Sequence, residues 1–113
     1  MVMAQMEKVV LLNALVTSSR IPLTIKTQPV GLGDVKYYME GKEILSYIGH
    51  EATASLLTQL LGKPIPSNRA MYEPKPNEKA IVVKLKRRLE RPEDLMNVKE
   101  EEIEFLLVEY SNY

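Results

Sequence analysis

The chain has 113 residues, 45% apolar and 27% charged, as expected of one ordinary globular domain. It holds no cysteine and a single histidine, which removes disulfides, thiolate nucleophiles, zinc fingers and iron–sulfur ligation and disfavours a tight zinc or iron site. Fifteen bases balance fifteen acids, which argues against a general-purpose duplex coat protein, yet Pro92 to Tyr113 holds seven acids and one base, so the rest of the chain is basic.

Residues 1–7 are neither basic nor long enough for targeting and read as a loose leader ahead of one domain over 8–113. No apolar run exceeds four residues, so the sequence predicts no membrane span, and an intracellular, cytoplasmic protein is expected. Lys8 to Leu15 is β-branched and apolar on both faces, which predicts a central strand covered twice. Ile21 to Thr27 alternates and predicts an edge strand, with Pro22 tolerated at its start. A short helix is expected over Asp34 to Glu40, capped by Asp34 and stopped at Gly41. Ile44 to Ile48 is a short extended piece.

The clearest element is a helix over Glu51 to Leu61. Leu56, Leu57, Leu60 and Leu61 form its apolar stripe, and Gly62 supplies the stop. After the rigid turn Pro64-Ile65-Pro66-Ser67, strands are expected at Arg69 to Tyr72, Ala80 to Leu85 and Ile103 to Tyr110. A short acidic helix is expected within Pro92 to Glu102. The order implies an α/β fold, a mixed sheet of about five strands with helices packed against it.

Chemistry near neutral pH must rest on His50 or on carboxylates. Gly49 and His50 stand at the start of the Leu-striped helix, where unpaired backbone N–H groups and the helix dipole offer an anion site. Gly49 carries no side chain to obstruct a phosphate. A phosphodiester bound there would favour the imidazolium, a competent proton donor. The plainer reading is that His50 is a polar helix cap. Asn68-Arg69 opens the expected strand after the proline turn, and arginine suits forked recognition of phosphate, or else a surface ion pair. Lys84 to Arg91 contains five bases, but alternation puts Lys86 and Arg88 on one face and Arg87 on the other, so the cluster cannot serve one site. Tyr37, Tyr38 and Tyr72 suit base stacking or ordinary packing.

Asn13 after an apolar first strand, Ile48-Gly49-His50 with Thr53, Asn68-Arg69, and Arg88-Leu89 at the end of a later strand occur here in one colinear order. Together they resemble the small viral ring nuclease family, type III anti-CRISPR proteins widespread in crenarchaeal viruses, with cellular relatives. The resemblance runs from Lys8 to the C-terminus. It implies cleavage of cyclic tetra-adenylate to linear di-adenylate ending in a 2′,3′-cyclic phosphate, with no metal and no cofactor. The ribose 2′-hydroxyl is the nucleophile in that chemistry. Carried over, His50 would protonate the departing 5′-oxygen, while Arg88 and Arg69 would hold the scissile phosphate. Asn13, Gly49, Thr53 and Asn68 would help bind the ring. The family's acidic residue falls on Arg91, so Glu90, or Glu93, is the carboxylate left for that role. A symmetric ring facing a chain with one His50 implies a homodimer with the site across its interface. Two alternatives stand beside this reading: a nucleic-acid-binding protein using the Lys84 to Arg91 strand, and a sponge that binds the cyclic oligoadenylate without cutting it.

Overall fold

The computed structural model describes residues 8–17, 19–86, 98 and 102–113. Among them are five strands, β1 (Lys8–Leu12), β2 (Leu23–Val30), β3 (Glu43–Tyr47), β4 (Lys79–Leu85) and β5 (Ile103–Asn112), and two helices, α1 (Leu32–Met39) and α2 (Glu51–Leu61). The strands form one mixed sheet in the order β2-β5-β4-β1-β3. β1 pairs in parallel with β3 and β4, while β5 is antiparallel to both β4 and β2. Four strands therefore share a direction and β5 opposes them. The α/β class and mixed five-stranded sheet expected from the sequence are what the chain forms.

Alternation within the strands sorts the interior into two layers. Val9 and Leu11 of β1, Ile81 and Val83 of β4 and Phe105 of β5 face the helices, where Val35, Met39, Leu56, Leu57 and Leu61 cover them. Val10, Leu12, Ala80, Val82, Val108 and Tyr110 face the other way and are covered by loop residues, among them Leu15, Val16 and Tyr72. That is why β1 reads as apolar on both faces, and why its apolar run outlasts it. β1 ends at Leu12, not Leu15, because Leu15 and Val16 turn back over the sheet, held where the Tyr110 hydroxyl donates to the Val16 carbonyl at 2.7 Å.

β2 lies at the edge, as expected, but runs to Val30 through Pro29. An edge strand has one open side, so a residue without an N–H is tolerated there. α1 begins two residues before Asp34. Its N-cap is Gly31, and Asp34 serves at the third helical position by accepting the Gly31 N–H at 3.0 Å. α2 has the bounds its leucine stripe predicts. It buries Thr53, Ala54, Leu56, Leu57 and Leu61, and Gly62 ends it at φ 70°, a left-handed conformation that glycine adopts without strain.

The strand expected at Arg69 to Tyr72 does not form: no regular element lies between α2 and β4. Four prolines between residues 64 and 76 remove backbone donors from this stretch, and side chains satisfy much of the rest. The Thr58 hydroxyl donates to the Ala54 carbonyl and accepts the Ile65 N–H, each at 2.9 Å. The expected leader over 1–7 lies outside the described residues. So does the expected helix within Pro92 to Glu102, apart from Val98 and Glu102. No described helix is long and apolar enough to cross a membrane.

Candidate functional site

Parallel pairing brings the carboxyl ends of β1, β3 and β4 to one edge of the sheet. Leu12 stands opposite Tyr47 and Val82, so Asn13 leaves β1 beside the Ile48-Gly49-His50 segment that leaves β3. β4 runs three residues farther, and Lys86 just beyond it donates its N–H to the Glu102 carbonyl at 2.8 Å. Carboxyl edges of parallel strands are where α/β folds gather ligand-binding groups, because helices that follow such strands present their N-termini there. α2 follows β3 in this way.

His50 is the N-cap of α2 by its backbone, at φ −116° and ψ 125°, and its carbonyl accepts the first helical bond from the Ala54 N–H at 3.0 Å. Its imidazole makes no capping hydrogen bond and is exposed to solvent. The reading of His50 as a polar cap therefore fails for the side chain: the ring is not used to satisfy the helix. The first-turn N–H groups of α2 are left without a side-chain cap. Thr53, in that turn, is 7% exposed and sits at the boundary between this opening and the core.

Arg69 is brought to the same place by a set of side-chain bonds. The Ser46 hydroxyl donates to the Pro66 carbonyl at 2.6 Å and accepts the Ile48 N–H at 3.3 Å. Asn68 donates its backbone N–H to the Ile48 carbonyl at 2.8 Å and its amide Nδ2 to the Ser46 carbonyl at 3.0 Å. Its Oδ1 accepts the Ala70 N–H, also at 3.0 Å. The loop is thereby pinned along the end of β3, and the Cγ of Arg69 lies 4.0 Å from where a Cβ on Gly49 would stand. The backbone of Gly49 is outside the left-handed region and has room for a methyl group, so packing alone does not require glycine there.

The structure thus gathers Asn13, Gly49, His50, Thr53, Asn68 and Arg69 at one edge. Arg88 and Glu90 lie outside the described residues. Asn68, expected to contact ligand, has both ends of its amide engaged by backbone. Ser46 went unnoticed in the sequence, where a serine inside a short apolar strand gives no sign of its distant partners. Of the tyrosines, Tyr72 is packed in a cluster, its ring centroid 5.3 Å from Tyr47 and 6.1 Å from Tyr110. Tyr37 is 82% exposed on α1. A cavity of about 330 Å³ between α1 and the sheet, walled by Gln28, Asp34, Tyr38 and Leu107, contains none of the gathered residues. Their site is instead an open edge.

A family model described as STIV B116-like matches residues 9–111. The chain is 30% identical to protein 26 of the Sulfolobus islandicus filamentous virus (isolate Iceland/Hveragerdi) over 92 residues, covering 76% of this chain and 78% of the relative. It is 33% identical to YddF of Bacillus subtilis (strain 168) over 91 residues, 79% of this chain and 81% of the relative. Among solved structures it is similar to B116 of Sulfolobus turreted icosahedral virus, with a TM-score of 0.74 at 23% identity, covering 90% of this chain and 98% of that one. At that identity the likeness is one of fold.

Proposed function

The chain belongs to the STIV B116-like family, and from that premise we propose that it is a ring nuclease that cleaves cyclic tetra-adenylate and so switches off type III CRISPR signalling. The observation that supports this best is the side-chain-uncapped start of α2, where Gly49 stands beside the pinned stem of Arg69 and the next residue, His50, has an exposed imidazole that makes no capping bond. Backbone N–H groups and a guanidinium together form a phosphate cradle, and an exposed imidazole beside it supplies a proton.

In the proposed reaction a ribose 2′-oxygen bonds to the adjacent phosphorus and the bond from phosphorus to the 5′-oxygen breaks. The 2′-hydroxyl proton passes to a carboxylate, assigned to Glu90, and His50 protonates the 5′-oxygen as it leaves. Arg69 and Arg88 hold the phosphate while charge builds on it, and the first-turn N–H groups of α2 add donors that need no reorganisation. Asn13 and Thr53 contribute further contacts to the ring. Every group in this scheme comes from substrate or protein, so neither metal nor cofactor enters it.

One protomer presents the site as an open edge, and a ring of four equivalent nucleotides has more than one phosphate to meet. A twofold homodimer would set two His50 side chains over opposite phosphates and enclose the ligand.

Cyclic tetra-adenylate incubated with the protein in EDTA should yield di-adenylate with a cyclic phosphate, and His50→Ala should abolish cleavage while binding persists. Sedimentation should show a dimer. Binding without cleavage by the wild type would identify a sponge, a reading that arginine at position 91 makes credible. Salt-sensitive binding to nucleic acid, unchanged by His50→Ala and with no affinity for the ring, would identify a nucleic-acid-binding protein instead.

A further inference from the structure

We infer that Ser46 and Asn68 are positioning residues, a clasp whose work is to hold Arg69 against Gly49 at the start of α2. The inference rests on the ring-nuclease reading for its consequence in catalysis, but not for its geometry. Three observations carry it. Ser46 is 7% exposed, and its hydroxyl bridges two segments, donating to Pro66 and accepting from Ile48. The Asn68 side chain donates to the Ser46 carbonyl and, spanning Arg69, accepts the Ala70 N–H. Asn68 also ties its backbone N–H to the Ile48 carbonyl, directly before Gly49.

Arg69 therefore lies between two fixed residues, with no regular element to orient it. An arginine on a free loop would lose backbone as well as rotamer entropy on meeting a phosphate. One whose backbone is already held loses mainly the rotamer part. The polar groups of the clasp are occupied by backbone partners, which leaves Arg69, not Asn68, as the group facing ligand. Asn68 is thus removed from the set of direct contacts expected from sequence and given a role through its neighbour.

The test has a ligand-free arm and a kinetic arm. Without ligand, a nuclear Overhauser contact between the Arg69 γ-methylene and the Gly49 α-protons is expected in the wild type. It should be lost in Asn68→Ala and weakened in Ser46→Ala, while amide dispersion elsewhere is kept. In the kinetic arm, Asn68→Ala should lower kcat/KM for cyclic tetra-adenylate by about 10- to 100-fold, as small misplacements of a positioned group do. Arg69→Ala should lose at least as much, and Asn68→Ala combined with Arg69→Ala should lose no more than Arg69→Ala alone. A residue that only supports folding would add its loss to that of Arg69. Additive losses, or a retained contact in Asn68→Ala, overturn the clasp. A wild type that neither binds nor cleaves the ring overturns the function reading, and the clasp is then decided by the Overhauser contact. If Asn68→Ala melts too early for assay, Asn68→Asp replaces it, keeping the acceptor for Ala70 and removing the donor to Ser46.

Discussion

At the scale of the residue, Gly49 is where the proposed function and the fold make separate demands. Its backbone is not left-handed, and an added Cβ would make only ordinary contact with Arg69. Gly49→Ala should therefore melt within about 2 °C of the wild type, since it disturbs neither a special φ nor the packing. On the proposed function it should nevertheless weaken cyclic tetra-adenylate binding, because a methyl group would stand where the proposed phosphate approaches the helix N–H groups. Thermal melts and equilibrium binding on one preparation check both halves, and a variant that binds normally would remove the close approach from the mechanism. His50 shows the same separation. Its backbone serves the helix, and its side chain, exposed and unbonded to the cap, does not.

At the scale of the element, α2 joins the core to the site. One face packs Leu56, Leu57 and Leu61 against the sheet, each burial stabilising by about 1.5–3 kcal/mol, and this fixes the axis along which the helix start points. The opposite end is closed by Gly62, whose N–H donates to the Thr58 carbonyl at 3.0 Å. Gly62→Ala should cost about 1–2 kcal/mol because an alanine is strained at φ 70°. It should leave the proposed cleavage unchanged per folded molecule, since the strain sits eleven residues from Glu51 at the other end. Denaturant melts with activity corrected for folded fraction measure this, and a proportionate loss of activity would show that the two ends of α2 are coupled. The helix and its boundaries were legible because a 3.6-residue stripe and a terminal glycine are local signals. The connection after it was misread as a strand because Arg69 to Tyr72 carries no local pattern of its own, and the bonds that shape it come from Ser46 and Asn68.

At the scale of the whole molecule, the loop-covered side of the sheet is held by polar bonds as well as by packing. The Tyr72 hydroxyl donates to Glu78 at 2.9 Å, and Glu78 also accepts the Lys75 N–H at 3.0 Å. The Tyr110 hydroxyl reaches Val16 across 94 residues of sequence. Burial first, then the hydrogen bond to Glu78 and its charge, push the Tyr72 phenol well above the usual tyrosine range. Burial and the Glu78 charge raise Tyr110 as well. A phenol whose folded value is raised contributes stability that is complete below its unfolded value and is lost as pH rises beyond it. The melting temperature should therefore hold steady up to about pH 10, the unfolded tyrosine value, and fall above it. Tyr72→Phe and Tyr110→Phe should each flatten that fall while lowering stability at neutral pH. Thermal melts across alkaline pH check it, and an unaltered slope in both variants would show that other groups control the alkaline limit.

The sequence alone determined the α/β class, the identity and order of most elements, the edge position of β2 and the helix start that carries His50. Each follows from a pattern confined to neighbouring residues: alternation, a leucine stripe, a terminal glycine. The colinear pattern of Asn13, Ile48-Gly49-His50 with Thr53, Asn68-Arg69 and Arg88-Leu89 also pointed to a viral family, consistent with the STIV B116-like family to which the chain belongs. The tertiary structure decided which strands adjoin, and therefore that Asn13, Gly49 and Arg69 meet at one edge. It also decided which polar groups face solvent and which are taken up internally: His50 is free, whereas Asn68 and Ser46 are engaged. Those bonds join residues 20 and 22 positions apart through a loop without periodicity. Hydrogen-bond partners at such separation are chosen by how the sheet folds the chain back on itself, a choice that no local pattern records.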